Sequence, residues 1–340
     1  MKVSVKKALI TGVTGQDGAY LLRFLLEKGY EVHGIRRRTS TLSTARIDDV
    51  YAGRVCPQEQ VFMHYGDLHD GVSLMELVER IQPEEIYHLA SQSHVQVSFE
   101  NPLATVVDNV SGTISLLEAA RRLNHRCRFY NAASSEMFGI TPPPQNERSP
   151  FHPRSPYACS KVFTFNQTVN YREAYGLHAS NGILFNHESP LRGEAFVTRK
   201  VTRAVGRIKV GLQRTLALGN LEARRDWGYA PEYVEAMWLM LQQVEPDDYV
   251  IGTGEMHSVG ELCEMAFGAV GLDYRDYVVT DPTLVRPSEA HALCGDASKA
   301  AATLGWHPRT TFQRLVEIMV EADLELAAEE KKLGRLISSY

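Results

Sequence analysis

The sequence predicts a doubly wound α/β fold, in which helices cover both faces of a parallel sheet, followed by a smaller C-terminal α/β domain. Three observations support this prediction. Short apolar runs alternate with amphipathic stretches through residue 186, a glycine-rich loop follows the first apolar run, and the alternation breaks down after residue 186. Regular strand–helix alternation is typical of parallel sheets, because each crossover between parallel strands needs a helix.

Six short apolar runs, each bounded by charged or turn residues, predict the strands of the first domain. They cover residues 7–12, 30–35, 61–68, 84–90, 127–134 and 178–186. Longer stretches with apolar residues three and four apart predict helices between them. These cover residues 18–29, 105–124 and 156–176.

The remaining chain predicts fewer regular elements. A helix is expected over 234–244, and "DDYVIGTG" over 247–254 is expected to return a strand to the first sheet. The stretch 320–336 predicts a solvated helix, because charged residues dominate it. We therefore divide the chain into residues 1–186 and a second domain over 187–340.

Composition narrows the functional classes. The chain has 340 residues, a net charge of -5 and five scattered cysteines without a CxxC pair. The acidic balance disfavours a nucleic-acid or membrane-surface role, and the cysteine pattern predicts a reduced protein without a metal site. No apolar run is long enough to span a membrane, so we expect a cytoplasmic protein.

The loop "TGVTGQDGAYL" places Gly12, Gly15 and Gly18 between the first strand and the first helix, with Gln16 and Asp17 among them. Glycine lets the backbone approach a pyrophosphate, and the helix N-terminus offers free N–H groups and a positive dipole. A glycine triplet in this position predicts a dinucleotide-binding (Rossmann) domain.

The end of the second strand predicts which dinucleotide binds. Folds that prefer NAD place an acid there, whereas this chain has Arg36, Arg37 and Arg38. Arginine suits a 2′-phosphate, so NADP is favoured, with Arg37 and Arg38 as candidate ligands. The alternative is a solvated basic loop or one that contacts another subunit.

Residues after three other strands are assigned to the same cofactor site. Because the carboxyl ends of parallel strands meet at one edge of the sheet, side chains that follow them lie near the glycine loop. The set comprises Asp67, Leu68, Ala90, Gln92 and His187.

Tyr157 and Lys161 in "YACSK" are four residues apart and therefore share a helix face. Lowering a phenol from its pKa of ~10 to about 7 needs ~4 kcal/mol, and one ammonium at ~4 Å supplies a similar amount at a surface-like dielectric. A bound oxidised nicotinamide adds another positive charge, so the pair is adequate to remove a proton from an alcohol that loses hydride. Ser134 ends the fifth strand, and Glu136 follows it.

The glycine loop, Ser134 and the Tyr157–Lys161 pair together resemble the extended short-chain dehydrogenase/reductase superfamily. Specific blocks make the chain similar to its GDP-mannose 4,6-dehydratase family almost from end to end. They include "SSEMFG", "PRSPYACSK", "NGILFNHESP", "FVTRKVTRA" and "LGNLEARRDWGYAPEYVEAMW". At the serine position the family usually has threonine, which also carries a hydroxyl.

The resemblance implies a redox-neutral reaction. NADP takes a hydride from C4 of GDP-mannose, water leaves across C5–C6, and the hydride returns to C6 to give GDP-4-keto-6-deoxy-D-mannose. Tyr157 and Lys161 would act at the 4-hydroxyl, Ser134 would assist them, and Glu136 would act at C5 and C6. The substrate contacts would be Asn186, Glu188, Lys200, Arg225, Arg286 and Glu289.

The resemblance also implies an assembly and leaves rival functions open. Family members form dimers or tetramers, and the arm "RRRTSTLSTAR" over 36–46 resembles a segment that reaches into a neighbour's cofactor site. The alternatives are a dehydratase for another GDP-hexose or a heptose, a 4-keto-sugar reductase, a sugar epimerase, and a non-catalytic dinucleotide sensor. A sensor has no use for Tyr157, Lys161 and Glu136 together.

Overall fold

The computed structural model describes residues 5–40, 44–51, 60–123, 127–284 and 292–337. Its central feature is a seven-stranded sheet in the spatial order β3-β2-β1-β4-β5-β6-β11, with every neighbouring pair parallel. The strands are β1 (Lys7–Thr11), β2 (Glu31–Arg36), β3 (Val61–Tyr65), β4 (Glu85–His88), β5 (Arg128–Ser134), β6 (His178–Leu184) and β11 (Tyr249–Ile251). The predicted doubly wound fold is confirmed.

Helices cover both faces of this sheet. They are α1 (Gln16–Glu27), α2 (Asp48–Tyr51), α3 (Gly71–Ile81), α4 (Val95–Glu100), α5 (Pro102–Arg122), α6 (Pro156–Tyr175), α8 (Ala230–Gln242) and α10 (Ser298–Leu304). The apolar side chains of α1 and α8 share one core on one face, and α3, α5 and the end of α6 build another core on the opposite face. The central strands are buried on both faces, as is typical of a parallel sheet, and they carry buried polar side chains such as Glu85, Asn131 and Asn181 among the apolar ones.

The second half of the chain adds small sheets and three further helices. The short strands are β7 (Asn186–Glu188), β8 (Leu216–Leu218), β9 (Arg224–Arg225), β10 (Trp227–Tyr229), β12 (His257–Ser258), β13 (Val278–Thr280) and β14 (Ala292–Leu293). The helices are α7 (Val197–Lys209), α9 (Val259–Gly268) and α11 (Phe312–Ile337). These three helices share a separate apolar core.

The prediction of a solvated helix over 320–336 is wrong about the surroundings of that helix. The stretch is part of α11, which buries Phe312, Val316, Val320 and Ala327 along one face. Asp323 on the same face is fully buried, where it accepts hydrogen bonds from Arg199 and Thr202 of α7. The prediction failed because the apolar stripe begins before residue 320, and because a buried carboxylate with charged partners looks like a surface residue in sequence.

The fold places the ends of β1 and β4 side by side, where the order of strands reverses. In doubly wound sheets, ligands bind at the carboxyl ends of the strands beside this reversal. Thr11 links the two strand ends, because its Oγ1 accepts the N–H groups of Leu89 and Ala90, both at 3.1 Å. A single fixed edge therefore carries the loops that follow β1, β2, β4, β5 and β6.

Candidate active site

A cleft of about 840 Å³ runs along the carboxyl edge of the sheet and into the second half of the chain. It begins at the glycine loop between β1 and α1, passes the ends of β4, β5 and β6, and reaches β8, β9 and β10. Residues from both predicted domains therefore line one continuous space.

The glycine loop forms a cradle that side chains would fill. A Cβ at Gly12 would lie 2.9 Å from the Ala90 nitrogen, and one at Gly18 would lie 2.3 Å from the Gly12 oxygen. Gly15 is the N-cap of α1, so no side-chain oxygen occupies the amides of the first turn. Free amides at a helix N-terminus suit a pyrophosphate, so this loop fits a dinucleotide.

Asp17 and His187 line the cleft as an ion pair between the glycine loop and β7. The His187 Nε2 lies 2.9 Å from an Asp17 oxygen, and its Nδ1 lies 2.8 Å from the Phe185 carbonyl. Burial alone would raise the pKa of Asp17, but the imidazolium of His187 holds it below its usual value. Burial opposes the charge on His187 as well, yet Asp17 raises the pKa of this imidazole.

Gln16 reinforces the same connection. Its side chain donates to the His187 carbonyl at 3.0 Å and accepts from the Ser189 hydroxyl at 2.8 Å. The cofactor loop and the first strand beyond residue 186 are therefore held together by side chains that the sequence had assigned to the cofactor alone.

The far end of the cleft is formed by the loops after β2 and β3. Arg37, Asp67 and Leu68 line it, as expected. Arg36, the last residue of β2, lines it as well, whereas Arg38 lies beyond the strand end, is exposed, and is not among the lining residues. Of the two arginines predicted to bind the 2′-phosphate, Arg37 therefore lines the cleft and Arg38 does not.

Ala90 and Gln92 line the middle of the cleft, after β4. The Ala90 backbone is held by Thr11, as described above. The Gln92 backbone N–H donates to Asn109 Oδ1 at 2.9 Å, and its side chain donates to Thr105 Oγ1 at 3.1 Å. Polar contacts from α5 thus fix the shape of this segment.

Ser134 and Glu136 reach the cleft because a short 3-10 turn, Ser135–Met137, follows β5. Met137 and Phe138 are fully buried, which anchors the turn, while Glu136 is half-buried and lines the cleft. The Glu136 N–H donates to the Ser134 hydroxyl oxygen at 3.2 Å. This bond fixes the serine hydroxyl beside the backbone of the glutamate.

Tyr157 and Lys161 lie on the first turns of α6. Ser155 caps the helix, accepting the Ala158 N–H at 3.1 Å, and Pro156 occupies the first helical position. Both side chains are buried, at 8% and 6% exposure, and both line the cleft. The Ser134 hydroxyl lies near enough to Tyr157 to lower the pKa of the phenol, and the Glu136 carboxylate lies near enough to raise it. The four predicted catalytic residues therefore converge.

In the unliganded site, the electrostatics oppose the activation of the phenol that the sequence analysis expects from Lys161 and a bound oxidised nicotinamide. Burial raises the pKa of Tyr157 to about 12, and burial lowers the pKa of Lys161 to about 8. The Lys161 Nζ donates to the Ala132 carbonyl at 2.8 Å and lies 5.8 Å from the centre of the Tyr157 ring. Because both groups are desolvated, the loss of hydration outweighs the charge of the lysine in the unliganded site.

The candidate substrate residues fall into two groups. Asn186, Glu188, Lys200 and Arg225 all line the cleft, whereas Arg286 and Glu289 lie outside the described residues. Glu188 is almost fully buried and pairs with Arg192, whose Nε lies 3.0 Å from its carboxylate. Lys200 donates to the Ala217 carbonyl at 2.8 Å. Glu188 thus has a structural partner that the sequence did not suggest.

Two further arginines line the cleft: the sequence analysis missed Arg192 and named Arg46 only as the last residue of the arm over 36–46. Arg192 stacks its guanidinium 3.8 Å from the centre of the Phe196 ring, and its charge helps to lower the pKa of Tyr157 against the effect of burial. Arg46 donates to the Leu191 carbonyl at 2.7 Å and to the Thr14 carbonyl at 3.3 Å within its own chain. Neither lies in a periodic pattern, and only the adjacent "NHESP" block points to Arg192.

Two classes of site are not seen in the described part of the chain. Among those residues, no three His, Cys, Asp or Glu side chains are placed to hold a metal ion. No helix within the same ranges has the length and apolar character needed to cross a membrane.

Comparisons with known proteins show which family the chain resembles. The family model for GDP-mannose 4,6 dehydratase matches residues 9–319. GDP-mannose 4,6 dehydratase 1 of Arabidopsis thaliana is 57% identical, over 97% of this chain and 92% of its own. The GDP-mannose 4,6-dehydratase of Sinorhizobium fredii (strain HH103) is 51% identical, over 94% of this chain and 97% of its own.

Solved structures resemble the fold over the whole chain. The dTDP-glucose 4,6-dehydratase DesIV of Streptomyces venezuelae, with NAD bound, has a TM-score of 0.81 at 25% identity and covers 94% of this chain and 97% of its own. RMD of Pseudomonas aeruginosa, complexed with NADPH, has a TM-score of 0.77 at 23% identity, over 94% of this chain and 98% of its own. The family-model match and the identities to these relatives lead to one conclusion: the chain belongs to the GDP-mannose 4,6-dehydratase family.

Proposed function

We propose that the protein converts GDP-mannose into GDP-4-keto-6-deoxy-D-mannose and water, with NADP as the cofactor. The observation that carries the proposal is that Ser134, Glu136, Tyr157 and Lys161 converge on the cleft that also contains the glycine loop. A base for an alcohol and a carboxylate for an elimination thus face the same space.

The residues that would hold the cofactor are those that form the first part of the cleft. The set is Gly12, Gly15, Gln16, Asp17, Gly18, Arg37, Asp67, Leu68, Ala90, Gln92, Tyr157, Lys161 and His187. NADP is preferred over NAD because β2 ends in arginines and no acid stands there to accept a ribose hydroxyl. When bound, the nicotinamide supplies the hydride acceptor at C4 and the hydride donor at C6.

Tyr157 removes the proton from the 4-hydroxyl as C4 is oxidised. Its pKa of about 12 in the unliganded site must fall for this step, and a positively charged ring entering the cleft acts in that direction. Lys161 and Arg192 add positive charge on the protein side. Ser134 places its hydroxyl beside the phenol and would steady it and the 4-hydroxyl.

Glu136 carries out the elimination. A ketone at C4 acidifies the C5 proton, so a carboxylate can remove it. The same carboxyl, now protonated, gives that proton to the C6 hydroxyl, which leaves as water. When C6 accepts hydride, C5 takes up a proton, and this uptake balances the proton that Tyr157 removes from the 4-hydroxyl. An epimerase or a 4-keto reductase needs no carboxylate at this position, and for that reason the dehydratase reaction is preferred.

The nucleotide would lie toward the second half of the chain. Lys200 and Arg225 supply cations for the diphosphate, and Asn186 and Glu188 supply polar edges. Arg286 and Glu289 are assigned to the same ligand by the family resemblance. In this division residues 1–186, with the strand near 247–254, hold the cofactor, and residues 187–340 mainly hold the nucleotide sugar.

A homodimer or homotetramer is also proposed. Exposed apolar side chains on two helices that pack together support it, because isolated chains rarely expose several such groups together. They are Leu103, Val106 and Val107 on α5 and Phe163 on α6. Sedimentation analysis of the purified protein would test the assembly.

Mass spectrometry of a GDP-mannose incubation tests the reaction. We expect the sugar nucleotide to lose one water while the amounts of oxidised and reduced cofactor each show no net change. A product of unchanged mass would indicate epimerisation. Consumption of added reduced cofactor by a 4-keto sugar nucleotide, with no reaction of GDP-mannose, would indicate a reductase.

A further inference from the structure

His88, the last residue of β4, forms a chain of hydrogen bonds that joins three elements of the fold. Its Nδ1 lies 2.9 Å from the Thr11 hydroxyl oxygen at the end of β1, and its Nε2 lies 3.0 Å from the Thr113 hydroxyl oxygen of α5. The three side chains are at most 4% exposed, so each finds its hydrogen-bond partners inside the protein.

The proton positions in this chain follow from counting donors and acceptors. The Thr11 oxygen accepts the N–H groups of the two residues after His88, both at 3.1 Å, which uses both of its lone pairs. The Thr11 proton must therefore point to Nδ1 of His88. At the other end, the Thr113 hydroxyl donates to the Asn109 carbonyl at 2.7 Å, so Nε2 of His88 must be the donor. Both ends require the same neutral tautomer, with the proton on Nε2.

The protonated form of His88 does not fit this chain. A proton on Nδ1 would face the Thr11 oxygen, whose lone pairs are already in use, so the amides after β4 would lose their acceptor. Burial lowers the pKa of His88 to about 3, and the Lys161 ammonium acts in the same direction. The imidazole is therefore neutral at every pH near neutrality.

The segment that Thr11 fixes lies against the glycine loop. A Cβ at Gly12 would lie 2.9 Å from the Ala90 nitrogen, so the two backbones are in contact. Both residues line the cleft, whereas His88 is not among the lining residues. A shift of the Ala90 backbone would therefore change the space that a dinucleotide enters, and His88 can act on that space only through Thr11.

We propose that His88, as the neutral Nε2–H tautomer, is a positioning residue that orients the Thr11 hydroxyl and so fixes the segment after β4 for cofactor binding. The inference rests on the proposed function, because it assumes that the dinucleotide lies between the glycine loop and this segment. His88 itself contacts no cofactor.

Calorimetric binding of NADP+ and NAD+ to the purified protein tests this role without turnover. His88→Leu removes both polar contacts and should raise the Kd of the cofactor about fivefold to thirtyfold, as for a lost buried hydrogen-bond network. The Kd of GDP, proposed to bind at the other end of the cleft, should stay within about twofold. His178→Leu, at a histidine of β6 outside the cleft, is the matched control and should leave both affinities unchanged.

Two amide variants separate the contact with Thr11 from the contact with Thr113. Asparagine places its oxygen near the position of Nδ1 and can accept from Thr11, so His88→Asn should restore most of the affinity that His88→Leu loses. Glutamine places its amide nearer the position of Nε2, so His88→Gln should restore little. In a Thr11→Val background the hydroxyl is absent, and His88→Leu should weaken binding little further.

Nitrogen NMR of the wild-type protein reads the tautomer itself. The histidine signal that disappears in His88→Asn should show a protonated Nε2 and an unprotonated Nδ1. It should not change between about pH 5 and about pH 8, because the pKa of His88 lies well below that range.

The possible results separate this inference from the proposed function. If the wild type binds neither NADP+ nor NAD+, the proposed function fails. If it binds the cofactor and His88→Leu binds it as tightly, or if His88→Gln restores the affinity and His88→Asn does not, the role of His88 is wrong. A proton on Nδ1, or a His88 signal that titrates between about pH 5 and about pH 8, would overturn the tautomer. If His88→Leu does not fold, the two amide variants and the wild-type spectrum still decide.

Discussion

The Lys161 ammonium lies 5.8 Å from the centre of the Tyr157 ring and donates its hydrogen bond to the Ala132 carbonyl, not to the phenol. Both groups are buried, and burial moves both pKa values toward the neutral forms. The unliganded pair is therefore electrostatically unfavourable. The positive charge of the cofactor completes the set of charges that a proton-accepting phenol needs.

This arrangement predicts that Lys161 costs stability. Burial lowers its pKa to about 8, so Lys161→Met should raise the free energy of unfolding by about 1–3 kcal/mol at neutral pH while it abolishes turnover. A lysine whose pKa is lowered in the folded protein disfavours folding at every pH at which its side chain is charged in the folded protein. The gain should thus shrink as the pH rises from about 8 to about 10.5. Thermal unfolding at several pH values measures it, and a loss of stability at neutral pH would contradict it.

Glu136 is predicted to serve the elimination alone. Glu136→Gln keeps the size of the side chain but cannot accept a proton, so water loss should fall by about a hundredfold or more. Affinity for NADP+ should remain, because the carboxylate is proposed to act on the sugar. The assay follows the mass of the product and the exchange of the C5 proton with solvent deuterium.

A second glutamate provides the control for this substitution. Glu173 is exposed on α6 outside the cleft, and Glu173→Gln should leave the rate unchanged. Full activity in Glu136→Gln would remove the glutamate from the reaction. Loss of NADP+ binding in that variant would show that the carboxylate acts on the cofactor site instead.

The sequence predicted which residues form the site better than it predicted their pKa values. Residues that are four apart on a helix lie on one face, and the carboxyl ends of parallel strands lie at one edge of the sheet. The convergence of Ser134, Tyr157 and Lys161 therefore follows from local rules. The partners of Glu188 and Asp17 could not be predicted in this way. Arg192 and His187 are brought to them by tertiary packing, and the sign of the Tyr157 pKa shift depends on burial that no spacing encodes.

Ser134 is predicted to act through its hydroxyl. Ser134→Ala removes the hydroxyl that lies beside Tyr157 and accepts the Glu136 N–H, so kcat should fall by about tenfold to a hundredfold. Ser134→Thr retains the hydroxyl and should recover most of the rate. Steady-state kinetics of the two variants measure the difference. Equal rates in both variants would leave the serine without a role in orienting the phenol.

The Asp17–His187 pair is predicted to stabilise the contact between the glycine loop and β7. The two single variants, Asp17→Asn and His187→Asn, and the double variant form a cycle whose coupling should be about 1–2 kcal/mol near pH 6. The lowered pKa of Asp17 makes its contribution present above about pH 4 and lost on acidification. The pKa of His187 is raised in the folded protein. The coupling should therefore be fully present below about pH 6.5, the ordinary pKa of histidine, and should be lost as the pH rises through the raised pKa of His187.

Denaturant unfolding at several pH values measures this coupling. The coupling should be largest in mildly acidic solution and should decline in alkaline solution, where the imidazole is neutral. A coupling that does not change with pH would mean that a neutral hydrogen bond, and not an ion pair, joins the two residues.

The central claim is that hydrogen leaves C4 and returns to C6 within one active site. The most direct measurement uses GDP-mannose labelled with deuterium at C4, with the product examined by nuclear magnetic resonance and mass spectrometry. The account predicts that the deuterium appears at C6 of a product that has lost one water, even when unlabelled reduced cofactor is present in solution. Deuterium released to the solution cofactor, or retained at C4, would contradict it.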